Sequence, residues 1–270
     1  MPLLEIGPNE GLYYEHDSPA TTGAPTFVFV NPITGSVDIW QTEVAPALRD
    51  SGYGTLAYNF RGQADSPYEA GSVLNDQLIS SDLSQLIKTL DINRPILVGL
   101  SIGGLFAIQA HLSGVDAAGL VLLNTLRTIG PRIAWINDAV VRAMDVGGPQ
   151  LMGDIMTPLI WGPEWLAANR NNFLQKDSEY TPMDKNSGAY NLLSHMGEAD
   201  WDVVYEDIKC PVLVIMGLQD RVFYDAEVVD QLMQRISDVQ RVDITHAGHM
   251  LPLEVPRELV RELEQFATNL

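Results

Sequence analysis

The chain has 270 residues, of which 46% are hydrophobic, and it carries a formal net charge of −19 at neutral pH. Acidic residues outnumber basic ones by 35 to 16, which argues against nucleic acid or an anionic membrane as a partner because both need a basic surface. No stretch has the length and apolarity of a membrane span, and the amino-terminal residues lack the pattern of a signal peptide. A single cysteine, Cys210, excludes an internal disulfide and a cysteine-rich metal site. The sequence thus predicts a cytoplasmic protein and leaves the formation of homo-oligomers open.

The first half of the chain alternates apolar runs of strand length with helical patterns. We predict strands over residues 11–17, 26–30, 54–59, 95–100 and 119–124, and helices over residues 38–50, 75–90 and 105–110. Runs without polar interruption are typical of parallel strands that are buried on both faces. Strand and helix in alternation imply right-handed crossovers and a mainly parallel sheet.

The alternation stops after residue 125. Residues 126–207 contain no good strand, only helical patterns over 132–144 and 150–160, with glycine- and proline-containing loops between them. The α/β pattern then resumes. We predict strands over residues 211–216 and 239–244 and helices over residues 225–237 and 256–267. This pattern indicates a core domain of residues 1–125 and 208–270, with a helical cap of residues 126–207.

A candidate nucleophile follows the strand at residues 95–100. The sequence Gly99-Leu100-Ser101-Ile102-Gly103 runs directly into a helical pattern, which is the context that a nucleophile elbow requires. Glycines two positions before and after Ser101 leave room for a sharp turn, and the backbone N–H of Ile102 would lie at the positive end of the new helix. We predict Ser101 as nucleophile and the Ile102 N–H as one oxyanion donor. The alternative is a glycine-rich turn whose serine only caps the helix.

A second oxyanion donor is expected in the loop after the strand at residues 26–30. This loop reads Asn31-Pro32-Ile33-Thr34-Gly35-Ser36. The backbone N–H of Ile33 is our candidate, ahead of that of Thr34. An ordinary strand-to-helix connection is the alternative.

A serine hydroxyl needs a base within hydrogen-bond reach and an acceptor that holds the tautomer of that base. Of five histidines, only His246 and His249 follow the last predicted strand. We favour His249 as the base, because Gly248 allows the chain to bend over the site, and we expect His246 to be a structural neighbour.

Asp220 is the candidate acid, because it ends the strand before the histidine strand and gives the chain order serine, acid, histidine. The other position for an acid, after the strand that follows the elbow, holds the neutral Asn124. Asp243 lies within a predicted strand and should point away from the edge of the sheet.

The predicted cap is rich in tryptophan and methionine. We predict that its inner face binds the substrate, with Trp135, Trp161 and Trp165 as candidate contacts, because such a surface suits an acyl chain or an aromatic group. The alternative is a helical subdomain that only forms its own core.

These residues together resemble the α/β-hydrolase superfamily along nearly the whole chain. The resemblance rests on Gly99-Leu100-Ser101-Ile102-Gly103, Asn59-Phe60-Arg61-Gly62, Gly217-Leu218-Gln219-Asp220 and Gly248-His249-Met250-Leu251-Pro252-Leu253-Glu254-Val255-Pro256. It implies an α/β-hydrolase fold with a mostly parallel eight-stranded sheet, a helical cap inserted after strand 6, and a triad of Ser101, Asp220 and His249. The loop after the third strand departs from the pattern, since it opens with Asn31-Pro32 where the family usually has His-Gly.

The functional expectation is cleavage of carboxylic esters, with short to medium acyl or aromatic groups, through an acyl-enzyme on Ser101. The partner is then a small-molecule ester, and neither a metal nor an organic cofactor is required. A lactonase, thioesterase or carbon–carbon bond hydrolase would use the same triad, as would an acyltransferase. A ligand-binding receptor with this fold is the rival from another class. Serine at position 101, where related dehalogenases and epoxide hydrolases have aspartate, argues against those two activities.

Overall fold

The computed structural model describes residues 2–175 and 179–270. Met1, which belongs to the predicted core domain, and residues 176–178 of the predicted cap lie outside the described residues. The described chain forms one eight-stranded sheet with helices on both faces. No helix in it is long and apolar enough to cross a membrane.

The strands lie in the order β1-β2-β4-β3-β5-β6-β7-β8. Their bounds are β1 Leu3–Gly7, β2 Glu10–Asp17, β3 Thr26–Val30, β4 Gly54–Tyr58, β5 Pro95–Leu100, β6 Gly119–Leu123, β7 Val212–Gly217 and β8 Val239–Ile244. Strand β2 pairs antiparallel with β1 and β4, and strands β3 to β8 are all parallel to one another. The predicted mostly parallel eight-stranded sheet is confirmed, and its carboxyl edge is where the loops that carry Ser101, Asp220 and His249 meet.

The helices connect the strands and cover the sheet. Their bounds are α1 Asp38–Gln41, α2 Val44–Asp50, α3 Asp76–Thr89, α4 Ile102–Leu112, α5 Pro131–Ile160, α6 Pro163–Asn169, α7 Gly188–His195, α8 Ala226–Met233, α9 Leu251–Glu254 and α10 Pro256–Thr268. Three short 3-10 turns lie at Arg170–Asn172, Met196–Glu198 and Tyr205–Asp207.

Alternate side chains of the central strands build two separate cores. On β3, Val28 and Val30 pack into the cluster that includes α3 and α4, whereas Phe27 and Phe29 pack on the opposite face with residues of α2 and α10. Each of these side chains is fully buried, as the uninterrupted apolar runs of the sequence predict. The sheet therefore is a rigid base for the loops at its carboxyl edge.

Two elements differ from the prediction. Strand β1 was not expected, because its residues are mostly half-buried or exposed at the edge of the sheet and carry little periodic signal. The helix expected over residues 38–50 is split into α1 and α2. Pro46 explains the split, since a continuous helix would need its missing N–H and would bring its ring against the carbonyl of Thr42.

The described chain between β6 and β7 contains helices joined by loops and turns, and no strand. Helices predicted over residues 132–144 and 150–160 form the two arms of α5, which bends at Gly148, where φ is 62° and ψ is −160°. Pro149 follows the bend and, lacking an N–H, suits the start of the second arm. We refer to residues 126–207 as the helical segment, and its role as a cap domain remains a proposal.

Candidate active site

Ser101 lies in the turn between β5 and α4, with φ 58° and ψ −123°. A positive φ is costly for a residue with a side chain, and such strain concentrates at functional sites. The tight turn depends on its glycines, because a Cβ at Gly99 would meet the backbone of Gly104 and a Cβ at Gly103 would meet the carbonyl oxygens of Val30 and Asn31. This is the geometry that the sequence predicts for an elbow.

Two backbone N–H groups beside Ser101 have no hydrogen-bond acceptor among the described residues. One belongs to Ile102, the first residue of α4, and the other to Ile33 in the loop after β3. Both residues line the same cavity as Ser101. An oxyanion hole needs unpaired donors of this kind, so the predicted assignment of Ile102 and Ile33 stays our proposal.

The unusual Asn31-Pro32 start of this loop is held by a buried polar network. Asn31 Nδ2 donates to the carbonyl of Tyr58 at 2.9 Å, and Asn31 Oδ1 accepts from Trp40 Nε1 at 2.8 Å. Gln63 Nε2 donates to the carbonyls of Pro32 and Ile33 at 3.0 and 3.1 Å. The network thereby holds Ile33 at the wall of the cavity, in a loop that lacks the expected His-Gly pair.

His249 and Asp220 form a buried pair beyond the carboxyl ends of β8 and β7. His249 Nδ1 lies 2.6 Å from Asp220 Oδ2, and the two residues are 4% and 2% exposed. The other oxygen, Asp220 Oδ1, accepts from the backbone N–H groups of Val222 and Phe223, each at 3.0 Å. Asp220 can therefore fix the ring orientation and tautomer of His249, as the predicted roles require.

The electrostatics of this pair keep Asp220 ionised. Burial by itself raises the pKa of the Asp220 carboxyl, but the charge of His249, its hydrogen bond and the two backbone N–H donors lower the pKa below the usual value. An ionised Asp220 stabilises the imidazolium that forms when His249 takes a proton.

Ser101 Oγ accepts a hydrogen bond from Arg127 Nη2 at 3.1 Å. No hydrogen bond joins Ser101 to His249 in the described structure, so His249 Nε2 keeps its bonding capacity. Catalytic hydrogen bonds of free enzymes are often long and form only with substrate bound. The structure thus brings Ser101, Asp220 and His249 to one edge of the sheet, and their catalytic roles remain our proposal.

Arg127 is the residue of this site that the sequence analysis missed. It follows β6 by four positions, is 5% exposed and has its guanidinium carbon 4.8 Å from the centroid of the Trp201 ring and 4.3 Å from that of Phe223. Burial lowers the pKa of Arg127 to about 10, while the charge of Asp220 opposes that change. The guanidinium is therefore a cation at neutral pH.

Asn124, the neutral residue at the alternative acid position, ties three loops together. Its Nδ2 donates to the carbonyls of Gly248 and His249 at 3.0 and 2.9 Å, and its Oδ1 accepts from the N–H of Gly217 at 2.8 Å. The side chain thus fixes the histidine loop against the end of β7. It acts as a positioning residue for His249.

Asn124→Asp is expected to destabilise the fold by about 3 kcal/mol, because a buried carboxylate would face two carbonyl oxygens with no donor between them. We also expect a lower kcat, since the His249 loop loses its anchor. Urea denaturation gives the free energy of unfolding, and Asn93→Asp, at an exposed loop position, is the matched control. A loss of stability below about 0.5 kcal/mol, which is the range of surface substitutions, would contradict this role.

Glu254 organises the histidine loop from the other side. Its Oε2 accepts from the N–H groups of Gly162 and Gly248 at 2.7 and 2.9 Å, and its Oε1 accepts from that of Met250 at 3.0 Å. Bonds of this kind to a carboxylate are about twice as strong as neutral ones. Glu254 therefore connects the loop of His249 to the start of α6.

The cavity over Ser101 has a volume of about 280 Å³. Its wall is mostly aliphatic, and the aromatic contribution comes from Trp201 and Phe223. The lining also includes Ile33, Ser101, Ile102, Arg127, Ile129, Ile133, Ala134, Ile136, Asn137, Asp138, Val140, Val141, Leu193, Ser194, Met196, Gly197 and Glu198. Much of the lining comes from α5, and α7 and the 3-10 turn at Met196–Glu198 add to it, so the helical segment forms most of the cavity wall.

The three tryptophans predicted to bind substrate do not line this cavity. Trp135 is 79% exposed, and Trp161 stacks on Trp165 with 3.6 Å between ring centroids. Ile133 faces the cavity from α5, and a residue two positions further on is rotated by about 200° around the helix axis, which carries Trp135 to the outside. Trp201 is the tryptophan that lines the described cavity.

Other residues singled out in the sequence have structural surroundings. His246 Nε2 lies 3.1 Å from Glu258 Oε1, at the surface. Asp243 pairs with Arg241 at 2.7 Å on β8. Cys210 is buried, and burial raises the pKa of its thiol to about 11, so the thiol remains protonated at neutral pH.

The model of the "Alpha/beta hydrolase family" matches residues 27–262. The 3-oxoadipate enol-lactonase 1 of Acinetobacter baylyi is 24% identical over 251 residues, which cover 92% of this chain and 90% of the relative. Among solved structures, MGS-M2, an alpha/beta hydrolase enzyme from a deep-sea metagenome library, superposes with a TM-score of 0.81 at 19% identity, over 98% of this chain and 96% of the other. The enol-lactonase from Burkholderia xenovorans LB400 gives a TM-score of 0.79 at 23% identity, over 99% and 100%.

The family match spans most of the chain and agrees with the observed sheet and elbow. The chain belongs to the alpha/beta hydrolase family. A hydrolase is the class of enzyme that this membership and the site support.

Proposed function

We propose that this protein hydrolyses carboxylic esters through an acyl-enzyme on Ser101. The observation that carries the proposal is the meeting of a strained serine turn, two unpaired backbone N–H groups and a buried His249–Asp220 pair at one edge of the sheet. Acyl transfer needs these three parts: a nucleophile, an oxyanion site and an oriented base.

In the first half-reaction, Ser101 Oγ forms a bond to the ester carbonyl carbon while its proton passes to His249 Nε2. The N–H groups of Ile102 and Ile33 hold the oxyanion of the tetrahedral intermediate. Its collapse breaks the bond to the alcohol oxygen, which takes the proton from His249. Water then attacks the acyl-enzyme while His249 takes its proton. Collapse of the second tetrahedral intermediate breaks the bond to Ser101 Oγ, which takes the proton back from His249 as the acid leaves.

The same site suits a lactone, and one observation favours that second candidate. A relative that covers 92% of this chain is named 3-oxoadipate enol-lactonase 1. A lactone differs from an open ester only in that the leaving alcohol stays tethered to the acyl group. The aliphatic wall and the volume of about 280 Å³, at the small end of ligand pockets, support short to medium acyl groups.

A substrate panel tests the proposal. We expect the wild type to hydrolyse p-nitrophenyl acetate, butyrate and octanoate faster than laurate, and γ- or δ-lactones if the second candidate applies. Ser101→Ala measures the background of each assay. A folded wild type that turns over neither esters nor lactones would contradict the proposal and favour a thioester, a carbon–carbon bond or a bound ligand.

A further inference from the structure

The acidic residues that line the cavity are exposed to solvent, whereas its one basic residue among the described lining is buried beside Ser101. Asp138 and Glu198 are exposed, whereas Arg127 is 5% exposed and contacts Ser101. Arg127 is the one cationic side chain among the described residues of the lining. A positive charge thus lies beside the nucleophile, although the chain as a whole carries −19.

Arg127 has no carboxylate partner within salt-bridge distance among the described residues. Its Nε donates to the carbonyl of Thr125 at 3.1 Å, and its Nη2 donates to the carbonyl of Asn124 at 2.8 Å and to Ser101 Oγ. Asp220 uses both of its oxygens for His249 and two backbone N–H groups. Buried charges are normally paired, so a buried guanidinium without a carboxylate partner at a candidate substrate site points to a ligand that supplies one.

The guanidinium is also held in place for such a ligand. Contacts with the Trp201 and Phe223 rings restrict its plane, and the two bonds to backbone carbonyls fix its Nε and Nη2. Nη1 has no acceptor among the described residues. Arginine pairs with carboxylates through two neighbouring N–H groups, and Nη1 and Nη2 can offer such a pair if Nη2 exchanges its bond with Ser101 Oγ for one with the ligand.

We propose that Arg127 binds a carboxylate of the substrate, so that the preferred ester or lactone bears an anionic group on its acyl part. This inference rests on the proposed function and names the substrate class of the same site. One guanidinium balances one negative charge, which suits a carboxylate better than a phosphate dianion.

The distance from the guanidinium to the nucleophile limits the length of the acyl part. Nη2 lies 3.1 Å from Ser101 Oγ, a bound carboxylate oxygen lies about 2.8 Å from the guanidinium nitrogen, and a reacting carbonyl carbon lies about 3 Å from Oγ. The carboxylate and the scissile carbonyl are therefore separated by about two to four carbon atoms. Half-esters of succinic, glutaric and adipic acid satisfy this limit, as do lactones that carry a short carboxyalkyl chain.

Two matched substrates test the inference in the full-length protein. Monoethyl glutarate carries the carboxylate, and ethyl hexanoate has a similar length without charge. We expect the wild type to favour the half-ester in kcat/KM, and Arg127→Met to lower the ratio of the two values by about 10- to 100-fold, the range of a hydrogen bond to a charged group. Arg142→Met, at an exposed position of α5, should leave the ratio unchanged. A purely structural role of Arg127 would lower both values together and keep the ratio, which would overturn the inference.

Calorimetry with two amides that the site does not need to cleave separates this inference from the proposed function. Glutaramate, which carries one carboxylate, should bind the wild type more tightly than glutaramide, in which a neutral amide replaces that carboxylate, and Arg127→Met should abolish the difference. If no ester is cleaved but glutaramate binds through Arg127, the proposed function fails and the inference stands. If esters are cleaved and glutaramate binds no better than glutaramide, the inference fails alone. Arg127→Gln, which removes the positive charge and keeps a polar side chain, replaces Arg127→Met if that variant does not fold, with the same outcomes deciding.

Discussion

Ser101→Ala is expected to lower kcat for any substrate that the protein hydrolyses by about 10⁴- to 10⁶-fold. The substitution removes the one atom that forms the acyl-enzyme, while the unpaired N–H groups of Ile102 and Ile33 remain. Binding and oxyanion stabilisation alone give the small residual rate. Alanine should also relieve little of the strain of the turn, because it too carries a Cβ at a positive φ.

The measurement is single-turnover hydrolysis of a p-nitrophenyl ester, with the melting temperature recorded to show that the variant is folded. Ser81→Ala is the control, because Ser81 is an exposed serine on α3. It should retain wild-type kcat. A Ser101→Ala variant with more than about one hundredth of the wild-type kcat would show that another group performs the attack, since loss of a nucleophile costs far more than that.

Asp220→Asn is expected to lower kcat by about 10⁴-fold with little change in the fold. The asparagine oxygen can still accept from the N–H groups of Val222 and Phe223. Its amide N–H, however, donates to His249 Nδ1 where the Asp220 carboxylate accepts, so the ring is held with its proton on Nε2, which is the wrong tautomer for a base. The substitution also removes the negative charge that stabilises the imidazolium. The KM should change much less than kcat, because Asp220 does not line the cavity.

The control is Asp116→Asn, an exposed loop aspartate, which should keep the wild-type kcat. Acid stability gives an independent check. The pKa of Asp220 is lower in the folded protein than in the unfolded chain, so its contribution to stability is present above the unfolded pKa of about 3.9 and is lost as the pH falls through the folded value. Asp220→Asn should lose less stability than the wild type below about pH 4. If the variant and the wild type lose equal stability in acid, and the kcat of the variant stays within about tenfold of wild type, the role of Asp220 is contradicted.

Local patterns predicted the parts of the fold that local chemistry determines. The buried parallel strands appear as uninterrupted apolar runs, and the elbow depends on two glycines that stand two positions before and after Ser101. The short edge strand β1 was missed, because its outer residues face water and have no such pattern. The chain order of the strands also predicts that Asp220 and His249 lie at one edge of the sheet.

The cavity wall could not be predicted in the same way. Which tryptophan reaches the substrate depends on how the helical segment is rotated over the sheet, and the sequence gives the period of α5 but not the direction that it faces. Arg127 belongs to no recognisable motif. Its position beside Ser101 depends on packing against Trp201 and Phe223, which are distant in sequence. In the sequence, Asn124 was notable only as a neutral residue at the alternative position for the triad acid. In the structure, its amide fixes the loop of His249.

The most direct test of the central claim is the site of covalent modification by diethyl p-nitrophenyl phosphate, which transfers its phosphoryl group to an activated serine. We expect complete inactivation with one equivalent of p-nitrophenol released, and mass spectrometry should find one diethylphosphoryl group on the peptide that contains Ser101. His249→Gln should react far more slowly, since the base is absent. Modification at another residue, or equal labelling of Ser101→Ala, would contradict the claim that Ser101 is the nucleophile of this hydrolase.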